Sequence, residues 1–131
     1  VVVDHLPLMT GSGKRSENRQ QEVSDMSRAM KLLAKEMQVP VVALSQLKRT
    51  AAAGPDRRPQ MDDLRESGSL EQDADVVILL HRDADRAPDV LEVLVAKNRH
   101  GPADRVVRLA WEGCYSRATD YQPTPFERNA S

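Results

Sequence analysis

The sequence predicts an α/β domain with a mainly parallel sheet that finishes in an antiparallel hairpin. Two observations carry this. Three continuous apolar runs, Val1–Val3, Val41–Leu44 and Val76–Leu80, are separated by stretches of helical periodicity. That alternation is the pattern of strands buried on both faces by crossover helices. The last two runs, Val90–Ala96 and Val106–Trp111, are separated only by the turn at 98–104 around Gly101-Pro102. A connection that short suits antiparallel pairing.

The first strand is a β-branched run ending at Asp4. It is under way at the first residue, and domains seldom open in mid-strand, so a preceding N-terminal portion is expected. Gly11–Arg19 is polar, Gly-rich and basic, and reads as a loop. From about Asn18 to Met37, Val23, Met26, Met30, Leu33, Ala34 and Met37 recur at steps of three and four, the apolar stripe of a helix. Ser16 or Asn18 is placed to cap it, and Pro40 stops it. The second strand ends at Ser45-Gln46. Lys48–Gln60 is a long connection in which Lys48, Arg49, Arg57 and Arg58 stand against Asp56, a local +3. Connections of that length are often functional. A short helix over Met61–Gln72 leads into the third buried strand. From about Tyr121 the chain reads as a tail.

With 131 residues and 14.6 kDa, the chain has the size of about one domain. Nineteen basic against twenty acidic residues give a net charge of −1. This excludes binding driven by bulk positive charge. An aromatic content of 3% argues against base-stacking platforms. The single cysteine, Cys114, excludes an internal disulfide or a cysteine zinc site, and reads as a small buried hydrophobe in a reducing, cytoplasmic setting. No apolar stretch is long enough for a membrane helix, and the first residues do not form a secretion signal.

In open α/β sheets function collects at the carboxyl ends of strands. Asp4 stands at such an end, either as a Mg²⁺ carboxylate beside a nucleotide phosphate or as an ordinary strand-end turn. Gln46 stands at the next, as a donor–acceptor able to sense a phosphate or as a polar residue leaving a strand. The loops after these strands are basic, and are either contacts to a phosphate backbone or solvated surface. Gly68, inside the short helix, costs about 1 kcal/mol against Ala, which points to close backbone approach or to a helix end. Glu71, Asp73 and Asp75 are of the types that serve as general bases or metal ligands, but read rather as the solvated face of that helix. Lys97 and Arg99 alternate into the Gly101-Pro102 turn, either as cations projected at a phosphate or as an exposed tip. His5, His81 and His100 lack metal-ligand spacing and read as structural. The fragment GSGK at Gly11–Lys14 falls short of a phosphate loop, which needs GxxxxGK followed by Ser or Thr.

DHLPLM, SRAMKLLAKEMQVPVVALSQLKR, RRPQMDDLRESGSLEQDADVVILLHRD and AKNRHGP together resemble the signatures of DnaB-type replicative DNA helicases, which are hexameric RecA-like motors. The resemblance spans Val1 to Ala118. It implies a RecA-like P-loop NTPase fold, incomplete here. Residues 1–120 would be the C-terminal portion of a motor domain and 121–131 a tail. It implies that Asp4 is the Walker B carboxylate for Mg²⁺ and ATP. Gln46 would couple nucleotide state to DNA. Arg65, Glu66 and Gly68 would contact single-stranded DNA. Lys97 and Arg99 would reach the γ-phosphate of the adjacent subunit.

The implied protein is an ATP-dependent homo-hexamer with primase and a helicase loader as partners. The sequence departs from the family's D-Y-L-Q-L at Asp4-His5-Leu6-Pro7-Leu8 and from KQRNGP at Lys97–Pro102, where the cations are kept. The family's phosphate loop, catalytic glutamate and primase-binding domain lie upstream of the matching segment. The alternatives are a non-catalytic DNA-binding or ring-docking remnant, and a related RecA-like recombination ATPase.

Overall fold

The structure, a computed structural model, describes residues 1–4, 19–47 and 57–122, with the backbone alone at 19, 20 and 65–68. The two basic strand-end loops (apart from 57–60), the caps at Ser16 and Asn18, the departures at His5 and Pro7, and the tail from 123 lie outside the described residues. The chain divides into two compact units, Val1–Ala53 with Gln60–Asp75, and Gly54–Pro59 with Val76–Ser131.

In the first unit, β1 (Val2–Val3) and β2 (Val42–Ala43) pair in parallel, with Val2 opposite Val42 and Val3 opposite Ala43. The ladder is extended by Val42 N–H to the Val1 carbonyl at 2.9 Å and Leu44 N–H to the Val3 carbonyl at 3.0 Å. Between the strands runs α1 (Arg19–Met37), the long connection that parallel pairing requires. Val23 is buried in its stripe, whereas Leu33 and Met37 near its end are exposed.

The helix stops before Pro40 is reached. Gln38 takes φ 51° and Val39 N–H donates to the Ala34 carbonyl at 3.2 Å, a left-handed C-terminal closure. That conformation costs a side chain with a Cβ about 1 kcal/mol. Gln38→Gly is therefore expected to stabilise the last turn, slowing amide exchange there about fivefold. Unchanged or faster exchange would contradict it.

The second helical stretch is 3-10 over Met61–Ser67 and becomes α2 at Gly68–Asp73. Its start is fixed reciprocally: Gln60 N–H donates to Asp63 Oδ2 at 2.7 Å and Asp63 N–H to the Gln60 carbonyl at 3.0 Å. Gly68 thus stands where the helix changes type, at an element boundary rather than mid-helix. The acidic face is only partly solvated. Asp73 Oδ2 accepts a hydrogen bond from the buried Ser27 hydroxyl at 2.7 Å, and Asp75 pairs with Lys31. Ser27 and Lys31 are one turn apart on α1, so these carboxylates join the two helices.

In the second unit β3 (Val76–His81), β4 (Val90–Asn98), β5 (Arg105–Glu112) and β6 (Arg117–Asp120) form an antiparallel meander in chain order. The α/β class stands, with both kinds of pairing. Among the described residues, however, the antiparallel part extends well beyond the expected hairpin, because β3 pairs with β4. The link from His81 to Val90 is too short for a crossover. It turns on Asp83, whose Oδ1 accepts the N–H groups of Asp85 (3.1 Å) and Arg86 (2.8 Å). Those bonds hold the Asp83 carboxyl below its ordinary range.

Three expectations are corrected here. The first three strands were read as buried on both faces, yet Val2 is 70% exposed and Ile78 and Leu80 are 54% and 59% exposed, while Leu79 between them is 4% exposed. Among the described residues each run thus keeps exposed apolar positions, Val42 and Leu44 in the second, which a continuous apolar sequence cannot disclose. Cys114 is exposed rather than buried, because it lies in the 3-10 turn Gly113–Tyr115 joining β5 to β6. Strand β6 itself was not anticipated, since Arg117–Asp120 contains no apolar run. No helix among the described residues is long and apolar enough to cross a membrane.

Candidate functional site

Asp4 directly follows β1, and Gln46 lies three residues past β2. Because Val3 stands opposite Ala43, the chain leaves both strands at the same end of the parallel pair. Both side chains are exposed. Parallel pairing thus places two residues that are far apart in sequence past the same end of the strand pair. No group of three or more His, Cys, Asp or Glu able to hold a metal occurs among the described residues. A lone exposed carboxylate does not fit an all-protein metal cage. It does fit Mg²⁺, which keeps much of its water and binds through one or two carboxylates plus substrate phosphates.

Arg65 and Glu66 lie in the 3-10 stretch and Gly68 opens α2. All three belong to the first unit, on the backbone segment that starts at the Gln60–Asp63 cap.

Lys97 and Arg99 belong to the second unit. β4 outruns β5, whose ladder ends at Val95 opposite Arg105, and continues to Asn98 paired only with β3. Lys97 is opposite Val77 and so has strand geometry. The register shifts between Val77 and Ile78, a bulge at Ala96 that interrupts the alternation just before Lys97, and Arg99 is the first residue beyond the strand, exposed in the turn, so strand alternation fixes the side of neither cation. Asp104, at φ 56°, closes the turn by donating its N–H to the Val95 carbonyl at 2.8 Å.

One charged cluster was not found from the sequence. His81, Glu92 and Arg108 are direct cross-strand neighbours on β3, β4 and β5. Arg58 clamps Glu92 with Nε and Nη2, both at 2.6 Å, and Arg108 Nε stands 3.6 Å away. The Arg58 bond holds the Glu92 carboxyl below its ordinary range against the opposing effect of burial, and raises Arg58. These residues line a cleft of about 320 Å³ with Asp83, Arg86, Ala87 and Val90. The available signal was a lone glutamate at the centre of V-L-E-V-L-V, where an acid requires a partner.

The parallel strand pair and the antiparallel meander, with the helices, place the chain in the α/β class. The structure superposes on one described as the ATPase domain of G40P with a TM-score of 0.83 at 38% identity, covering 92% of this chain and 44% of that one. It superposes equally, at 0.83 and 38% identity, on a DnaB-like replicative helicase described with its interactions with primase, covering 92% of this chain and 30% of that one. The chain belongs to the DnaB-like helicase C-terminal domain family, whose model matches residues 1–120. It is 56% identical over 128 residues to the replicative DNA helicase DnaB of Leifsonia xyli, covering 94% of this chain and 28% of that protein. It is 51% identical over 122 residues to that of Geobacillus stearothermophilus, covering 89% and 27%. The chain thus spans about a quarter of the length of these relatives.

Proposed function

We propose that the chain is the C-terminal portion, residues 1–120, of the motor domain of a hexameric replicative DNA helicase, with 121–131 as its tail. The complete protein translocates on single-stranded DNA in the cytoplasm and unwinds the duplex at the replication fork, driven by ATP. The observation that supports this most directly is the pairing of β1 with β2, which gives Asp4 and Gln46 one strand-end edge.

In this reading Asp4 holds Mg²⁺ of the bound nucleotide, and Gln46 transmits nucleotide state to DNA. Lys97 and Arg99 reach the phosphates of the adjacent subunit, where a planar, permanently charged guanidinium suits the transferring group. The bound metal neutralises charge on those phosphates. Arg65, Glu66 and Gly68 grip single-stranded DNA, and since the grip is on the backbone, binding is sequence-tolerant and weakened by salt. Primase and a loader act on the complete ring.

The test is unwinding of a forked duplex by the native protein, with its size measured alongside. A hexamer with ATP-dependent unwinding is expected. Strand pairing instead would indicate a recombination ATPase. A native mass near 14.6 kDa would indicate a DNA-binding or ring-docking remnant. The 131-residue chain by itself is expected to show no ATP turnover, because the sequence contains no GxxxxGK motif followed by Ser or Thr. Steady turnover by the purified chain would overturn that.

A further inference from the structure

We infer that Asn98 is a positioning residue, the internal strut of the turn that presents Arg99. The inference rests on the role proposed above for that cation.

Asn98 is the last residue of β4, opposite Val76. Its side chain spans the turn. Oδ1 accepts the His100 N–H at 3.3 Å, and Nδ2 donates to the Pro102 carbonyl at 3.4 Å. The first bond is an Asx closure, in which a short amide substitutes for a backbone turn. Arg99 is enclosed by this bond, so the path of its backbone follows from the seat of the Asn98 amide.

Gly101 completes the fit. A Cβ there would lie 2.7 Å from Asn98 Nδ2, 3.4 Å from Cγ and 3.6 Å from Oδ1. All three nearest atoms belong to Asn98, and the first approach is closer than real Cβ atoms make. Gly101 does not have the left-handed φ that favours glycine, and the atom met is the far end of a side chain, so a Cβ at 101 would be accommodated by displacing the Asn98 amide. The related motif KQRNGP carries glutamine in place of Asn98. That motif keeps the glycine, and glutamine, one methylene longer, does not form the Asx closure, so the closure by Asn98 is a departure of this chain.

The experiment uses the complete protein and reads ATP turnover together with amide exchange at His100. Asn98→Ala is expected to lower kcat about tenfold or more with KM unchanged, since small misplacement of a positioned group is costly. Asn98→Ser keeps an oxygen that accepts the His100 N–H and should retain most of the activity. Gly101→Ala should produce the same loss and the same faster exchange at His100. Once Asn98 is alanine, Gly101→Ala should add less than about a further twofold, because the Cβ no longer meets an amide. In an Arg99→Ala background, Asn98→Ala should change kcat little.

Multiplying losses from Asn98→Ala and Gly101→Ala would overturn the strut. So would a full tenfold effect of Asn98→Ala without Arg99. If Arg99→Ala leaves turnover intact, the reading of Arg99 fails. The strut then stands or falls on whether the two substitutions speed His100 exchange non-additively.

Discussion

Arg99→Ala in the complete protein is expected to lower ATP turnover by about 10³-fold or more while nucleotide binding is largely retained. The residue lies just beyond the last paired position of β4, in a turn closed by its own hydrogen bonds. A permanently charged guanidinium contributes most when charge develops on the transferring phosphate, and less in the ground state. The loss should therefore fall on kcat. Whether the residue acts in trans is decided by mixing subunits. Arg99→Ala and Asp4→Ala proteins should each be inactive, yet mixed hexamers should recover activity at interfaces that combine an intact Asp4 with an intact Arg99. No recovery on mixing would place both residues in one subunit's site. Equal loss of binding and turnover would assign Arg99 a role in holding the nucleotide.

The second expected result concerns Glu92. Its side chain is 12% exposed and its charge is met by the two-point clamp of Arg58. Glu92→Ala leaves Arg58 and Arg108 without their carboxylate. Arg58 is 53% exposed, so solvent recovers part of the loss, and the net destabilisation is about 1–2 kcal/mol. Amide exchange along β4 should accelerate about tenfold. The pH dependence has a definite sign. The folded pKa of Glu92 lies below its ordinary value, so the stabilisation is present above the unfolded pKa and lost as pH falls through the folded one. Wild type and Glu92→Ala should therefore converge in acid. Asp83 is shifted in the same direction by its backbone bonds. A difference that persists undiminished in acid would show that Glu92 acts through packing and not through charge.

The elements were largely legible in the sequence because their signals are local. α1 announced itself through Val23, Met26 and Met30, and its end at Met37 was anticipated from the stripe and from Pro40. The true stop is Gln38 in a left-handed conformation, which residue identity alone does not signal. β3, β4 and β5 were visible as apolar runs. What stayed hidden depends on partners. The runs do not say which face is covered, so the exposure of Ile78 and Leu80 was missed. They do not say which strand is the neighbour, so β3 was not expected beside β4. The strand ends at Asp4 and Gln46 could be singled out because their positions follow from the apolar runs before them, and the cations of the hairpin because they flank the Gly101-Pro102 turn. The Arg58–Glu92 clamp joins residues 34 positions apart, and the Asn98–Gly101 fit depends on a distance of a few ångströms. Neither has a sequence period.

The connectivity of the two sheets also sets an order of assembly. In the meander every strand pairs with the next in the chain, so each pairing closes a short loop and loses little chain entropy. The parallel pair joins Val2 to Val42 across 40 positions and becomes possible only after α1 has brought its ends back. On a refolding time course, β3–β6 should gain amide protection ahead of β1 and β2. The hairpin bearing Lys97 and Arg99 would then be formed before the edge bearing Asp4 and Gln46 exists.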